Sequence, residues 1–119
     1  MNESDAETFL PLRPSHFHIL LTLCGADVHG YGIRQQVEAR TEGRIVLAAG
    51  TLYETLARLE RDGLIEETSA PTDASPRAGK RWRFYAATRL GREVMRLEVL
   101  RLEADVSVAR TVILGNADG

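Results

Sequence analysis

The chain has 119 residues, 44% of them hydrophobic and 27% charged, with a formal net charge of −2. That is the size of one domain by the usual prior, and the composition is that of an ordinary soluble globular protein. No apolar run reaches bilayer-spanning length and the acidic opening "MNESDAE" lacks the basic start of a signal peptide, so the expectation is a cytoplasmic protein without a membrane partner.

Net charge hides an uneven distribution. Residues 1–12 carry three acids (Glu3, Asp5, Glu7) and no bases, whereas residues 77–92 carry six bases (Arg77, Lys80, Arg81, Arg83, Arg89, Arg92) and no acid. A near-neutral total is compatible with a basic face, and a basic face is what meets phosphate.

Residues 1–12 read as a flexible tail. "RPSHFHILLTLCGAD" follows as a helix, with Ser15 as its cap, Phe17, Leu20, Leu21 and Cys24 spaced along one face, and Gly25 as a left-handed stop. Cys24 is the single cysteine, which rules out an intrachain disulfide and reads as a packing residue. A second helix is expected across "GYGIRQQVEART", with Ile33 and Val37 one turn apart, despite the helix-weakening Gly32. "RIVLAAG" is too short and too apolar to classify by period alone; a brief strand before the next helix is one reading.

Thr51 to Arg61 then gives a helix with one core stripe, Leu52, Leu56 and Leu59 at i, i+4 and i+7. Glu54, Ala57, Arg58 and Arg61 fall on its opposite side, with Tyr53 on the flank. Gly63 breaks this helix. "LIEETS" and "RWRFYAAT" are strand-like, the second alternating Trp82, Phe84 and Ala86 against Arg81, Arg83 and Tyr85, and the Pro-, Ala- and Gly-rich "APTDASPRAGK" between them suits a hairpin loop. The predicted fold is mainly α with a small two-stranded antiparallel wing: a winged helix-turn-helix domain over residues 13–88, followed by a long helix over 89–114.

That last helix starts at Thr88 as N-cap and carries two apolar stripes. Met95, Val99, Leu102, Val106, Ala109 and Ile113 repeat at alternating steps of four and three, a coiled-coil seam; Leu90, Leu97, Leu100, Ala104 and Val108 lie roughly opposite. A terminal helix has one core of its own to cover, so the seam predicts a homodimer.

In this arrangement the chain resembles the PadR-like transcriptional regulators, the phenolic-acid-decarboxylase regulator family. The resemblance rests on "ILLTL", "HGYGI", "GTLYETLARLERDGLI" and "YAATRLGREV", in the family's order and spacing over about residues 13–95. It implies a winged-helix DNA-binding domain, a C-terminal helix that makes the homodimer, and a repressor that releases DNA when a small-molecule effector binds. Four residues depart from the family pattern: Ala48 and Ala49 stand where many members carry serine, Glu54 where proline is common, and Ala87 where leucine is usual.

The candidate DNA-contacting residues are Tyr31, Gly50, Thr51, Tyr53, Glu54 and Arg58 on the helices, and Arg77, Lys80 and Arg81 on the wing. A helix N-terminus without a side chain at Gly50 admits a phosphate. A tyrosine hydroxyl positions the backbone, Arg58 has the reach and donors for guanine, and Glu54 accepts from cytosine N4. The competing reading makes Tyr53 a packing ring against the second helix, Glu54 and Arg58 a solvated pair, and the wing an incidentally charged loop.

Catalysis and metal binding fare poorly. His16 and His18, two apart on a helix, point about 200° from each other. No nucleophile–base–orienter set and no glycine-rich phosphate loop is recognisable, so neither an enzyme nor a bound cofactor is expected. The alternative from another class is a winged-helix adaptor that binds a protein or small ligand without DNA. An effector at the dimer interface would meet aliphatic side chains, because residues 89–114 contain no aromatic.

Overall fold

The computed structural model describes residues 3–69 and 83–115. Its elements in chain order are α1 (Glu3–Glu7), α2 (Pro14–Gly25), β1 (Val28–His29), α3 (Gly30–Arg40), α4 (Ala49–Arg61), β2 (Ile65–Thr68), β3 (Phe84–Ala87) and α5 (Arg89–Ile113).

Helix α2 is set by Pro14, which fits the first helical position because it has no N–H to lose and its φ is already helical. Arg13 before it is held extended and serves as N-cap without a side-chain bond. Ser15 is therefore inside the first turn rather than capping it. At the other end Gly25 stays helical, with no left-handed conformation, and Ala26 leaves in extended form while its N–H reaches Thr22 O at 3.3 Å. The buried centre of this helix is Ile19, Leu20 and Leu23, with Phe17, Leu21 and Cys24 at its margins.

One more expectation fails for a local reason. "RIVLAAG" makes no strand: the Thr41 hydroxyl accepts from Ile45 N at 3.0 Å, Leu47 drops into the core, and Ile45 packs against it half-buried. The chain there is tied to the preceding helix end instead of to a strand partner. The expected two-stranded antiparallel wing is present as β2 and β3, and β1 adds a third strand, giving the order β1-β3-β2 with both pairings antiparallel. The two-residue β1, Val28 against Tyr85 and His29 against Phe84, is too short to give a periodic signal.

With β3 central, both its faces are covered. Tyr85 and Ala87 enter the hydrophobic core, while Phe84 is buried on the other face with its ring edge-on to His29 at 5.4 Å. The period-2 alternation read from the sequence is present, but the core takes the set that contains Tyr85.

Helix α4 presents Leu52, Leu56 and Leu59 to the core as the stripe requires, joined by Ile33 and Val37 from α3. It ends at Gly63, whose φ of +80° is costly for any residue with a Cβ. The joint to α5 is tight. Thr88 accepts from Gly91 N at 3.0 Å as N-cap, its hydroxyl donates to Gly63 O at 2.6 Å, and its own N–H reaches Leu64 O at 3.0 Å. A Cβ on Gly91 would run into the Leu64 carbonyl oxygen, so the glycine in "TRLGREV" is what lets α5 lie against the start of β2.

Residues 3–12, expected as part of a tail, do not form one. Helix α1 rests on α5, Ala6 is fully buried, and Phe9, Leu10 and Leu12 pack against the core. Beyond Glu98, α5 leaves the globule: Val99, Leu100, Val106, Val108, Val112 and Ile113 are all exposed.

Candidate nucleic-acid interface

The outer face of α4 is built by the same period that buries its leucines. Gly50, Thr51, Tyr53, Glu54, Ala57, Arg58 and Arg61 are all exposed. At the entry, Ala48 is the N-cap and supplies no side-chain bond, so the first-turn N–H groups have no partner from the cap position. The space around Gly50 is open, with nothing within 4 Å of where a Cβ would stand.

Tyr53 is both a packing ring and a surface group. It is 48% exposed, yet a Cβ at Gly30 would stand 2.6 Å from its hydroxyl oxygen and 3.0 Å from ring carbons. The first glycine of "HGYG" is thus room made for the tyrosine of "GTLY", which fixes the α3 start under the α4 flank. Tyr31 follows Gly30 directly and is 51% exposed, its ring stacked on His29 at 6.5 Å. The two tyrosines therefore bracket one helix start.

His29 sets that start. Its Nδ1 accepts the Gly32 N–H at 3.0 Å, a cap that requires an unprotonated ring nitrogen. Burial holds its pKa below the ordinary histidine value, which favours the accepting form. A Cβ on Gly32 would meet Val28 Cγ1 at 2.7 Å and the His29 ring at 3.2 Å, so the second glycine serves the cap. In the sequence His29 is a lone turn histidine with no evident role; a polar side chain three residues before a helical N–H is the signal for a cap.

Glu54 and Arg58 are one turn apart, but no ion pair joins them among those of the described residues. Arg58 acts at longer range on His16 of α2. Burial first, then Arg13 and Arg58, push that imidazole below its ordinary pKa, with Asp62 opposing. Arg61, one turn further on, extends the basic edge beyond the DNA-contacting set expected from the sequence. Along α3, Tyr31, Arg34, Gln35, Glu38, Ala39 and Gly43 line an open groove of about 550 Å³. Its Arg34 and Glu38 have opposite signs, so it has no net attraction for an anion.

Arg77, Lys80 and Arg81, with Trp82, lie outside the described residues. Of the bases that flank them, Arg83 donates to Glu67 across the β2–β3 pair at 2.9 Å and lies 5.7 Å from the Tyr85 ring centre. Arg92 donates to Cys24 O at 3.0 Å, at the carbonyl-rich end of α2. Cys24 is half-buried, and burial pushes its thiol above the ordinary range, opposed by Arg92; it is a poor source of thiolate.

On α5 the face open to a partner begins one step later than the heptad spacing predicts. Met95 is buried in the core of its own chain and is not available to a partner. Val99, Val106, Ala109 and Ile113 are exposed and Leu102 half-buried. Among the described residues no helix is long and apolar enough to cross a membrane.

Helices α2, α3 and α4, a small three-stranded sheet and the long C-terminal helix α5 define a winged helix-turn-helix protein. Residues 19–97 match the transcriptional regulator PadR-like family, and the chain belongs to it. The family is one of transcriptional regulators, not of enzymes. The chain is 35% identical over 100 residues to the transcriptional regulator Rv3488 of Mycobacterium tuberculosis, covering 84% of this chain and 83% of that protein. It shares its fold with a PadR family transcription regulator from Clostridium difficile R20291, at 24% identity and a TM-score of 0.68 over 83% of this chain and 97% of that one. It also shares its fold with Bacillus subtilis PadR in complex with operator DNA, at 17% identity and a TM-score of 0.60 over 73% of this chain and 47% of that one.

Proposed function

We propose that this protein is a sequence-specific DNA-binding regulator that acts as a homodimer in the cytoplasm, with α4 in the major groove and the wing on the backbone or minor groove. The observation that carries the reading is the outer face of α4. It holds an uncapped N-terminal turn, an exposed Tyr53 braced by Gly30, and Glu54 and Arg58 free of each other. In this reading the first-turn amides and Tyr53 hold phosphate, Gly50 lets the strand approach, and Thr51 and Tyr31 add backbone contacts. Arg58 donates to a guanine and Glu54 accepts from a cytosine. Arg77, Lys80 and Arg81 supply the wing's phosphate contacts. The DNA-bound protein from Bacillus subtilis supports the reading by its fold.

The dimer forms through Val99, Leu102, Val106, Ala109 and Ile113, which would otherwise leave a long apolar stripe in water. It places two recognition helices about one helical turn, or a multiple, apart on the duplex. Repression follows from occupancy of the operator. Release by a small-molecule effector at the dimer interface would use aliphatic contacts from α5.

The test is salt-titrated binding to the DNA upstream of the protein's own gene. A steep log–log slope with sequence preference is expected, and replacing Lys80 and Arg81 with alanine should flatten it by about 0.9 for each phosphate no longer neutralised. No binding at low salt would put the adaptor reading in its place.

A further inference from the structure

The buried face of α5 ends on a charge. Gly91, Val94, Met95 and Glu98 are its buried residues, and the Glu98 side chain is only 2% exposed. A carboxylate is tolerated there because each oxygen is engaged. Oε2 accepts the backbone N–H of Leu12 at 2.9 Å and Arg101 Nη2 at 3.1 Å, and Oε1 accepts Arg101 Nε at 2.6 Å. Arg101 in turn donates to Asp105 at 3.1 Å. The Leu12 bond joins residues 86 apart in sequence, and it ties down the segment that begins with α1 and the fully buried Ala6.

A well-packed aliphatic side chain at this position would serve stability as well or better, since burying an ion pair costs desolvation that its Coulomb attraction often only offsets. What an aliphatic residue would lack is direction. A carboxylate bonded to one backbone amide and one guanidinium admits a single arrangement of the N-terminal segment over α5. The clasp also stands where α5 leaves the globule, with the buried Gly91, Val94 and Met95 on one side of it and the exposed stretch on the other.

We propose that Glu98 is a positioning residue: the Leu12–Glu98–Arg101 clasp fixes the angle between the DNA-binding body and the projecting half of α5. Through the dimer, it thereby sets which half-site spacing the protein accepts. The proposal rests on the reading of the protein as a dimeric DNA binder. The projecting stretch from Val99 to Ile113 is about 22 Å long at about 1.5 Å per residue. A tilt of about 10° at its base moves the far end by about 4 Å, more than the roughly 3.4 Å rise of one base pair. An arm this long turns a small loosening at Glu98 into a change of register on DNA.

The experiment compares the full-length protein with Glu98→Gln and Arg101→Lys. Glutamine keeps one acceptor oxygen for the Leu12 N–H and Arg101 Nη2 to share, but turns an amide N–H₂ toward Arg101 Nε, so donor faces donor and the grip that holds the carboxylate in place is broken. Lysine keeps the charge at 101 without the two-pronged grip, and leaves the buried residue in place should the first variant fold poorly. Three readouts are taken: sedimentation for the dimer, hydrogen exchange at the Leu12 amide, and binding to duplexes whose half-sites are moved one or two base pairs closer or further apart. The expected result is a folded dimer whose Leu12 amide exchanges about tenfold faster or more. Its preference for the best spacing over the next should fall by about tenfold, toward equality. A freed Leu12 amide with an unchanged spacing profile would overturn the proposal alone, as would a Leu12 amide that stays protected in both variants. Unsubstituted protein that is monomeric, or that binds no DNA, would overturn the functional reading and this proposal with it.

Discussion

The two halves of α5 carry the same kind of sequence and meet different fates. From Arg89 to Glu98 one face of the helix is covered: Gly91 lies against the Leu64 carbonyl, Val94 and Met95 fill the core, and Glu98 closes it. From Val99 to Ile113 an equally apolar stripe stands in the open. The heptad spacing runs through both halves without a break, so periodicity alone does not tell a chain's own core from a face meant for a partner. What separates them is tertiary: the N-terminal segment, α2 and the sheet cover the first half and reach no further.

The largest expected effect breaks the second half and spares the first. Replacing Leu102 and Val106 together with glutamate should turn the dimer into a monomer in sedimentation while the far-UV signal of the folded body persists. A folded dimer that survives the double change would mean the partner face lies elsewhere.

A smaller effect tests the first half. Gly91→Ala sets a methyl group against a backbone oxygen that cannot swing aside, and should cost about 1–3 kcal/mol, seen as a shifted denaturant midpoint. Dimerisation should be unaffected. An unshifted midpoint would mean α5 is not seated against β2 as described.

The smallest effect sits at the boundary and depends on pH. Arg101 and the Leu12 N–H hold the Glu98 carboxyl below its ordinary pKa, against the opposing pull of burial. A depressed folded-state pKa means the unfolded chain takes up the proton first as pH falls. The stabilisation is therefore complete above the unfolded value of about 4.3 and drains away as pH falls through the lower folded value. The melting-temperature gap between the protein and its Glu98→Gln variant should be constant from pH 7 to about 5 and close below about 4. A gap that widens in acid would contradict the assignment.

The legible parts of the fold are those written in a period. Leu52, Leu56 and Leu59, the Thr88 cap, the Gly63 break and the length of α5 all follow from spacing, and all are found. The illegible parts depend on contacts between distant residues. β1 is only Val28 and His29, and its existence depends on Phe84 and Tyr85. The N-terminal segment reads as polar and acidic, yet it is held by Ala6 and by a backbone bond to Glu98. Glu98 itself reads as one flank charge among several, since a sequence does not reveal that an amide 86 residues away will meet it. At the α4 face the residue types are readable but the coupling is not. That Gly30 makes room for Tyr53, and that His29 caps the helix between them, is visible only once α3 and α4 lie together.

The central claim is that α4 divides its labour, core on one side and DNA on the other. It is tested most directly by setting thermal melting against operator binding for Leu56→Ala, Tyr53→Phe and Arg58→Ala. Leu56→Ala should lose about 2–5 kcal/mol of stability. Tyr53→Phe keeps the ring over Gly30, so it should melt like the parent while losing operator affinity with its hydroxyl. Arg58→Ala should also melt like the parent, and should lose about 1–3 kcal/mol of binding with relaxed preference at one base position in each half-site. If both surface variants bind the operator as the parent does, the outer face of α4 does not read DNA and the account is wrong.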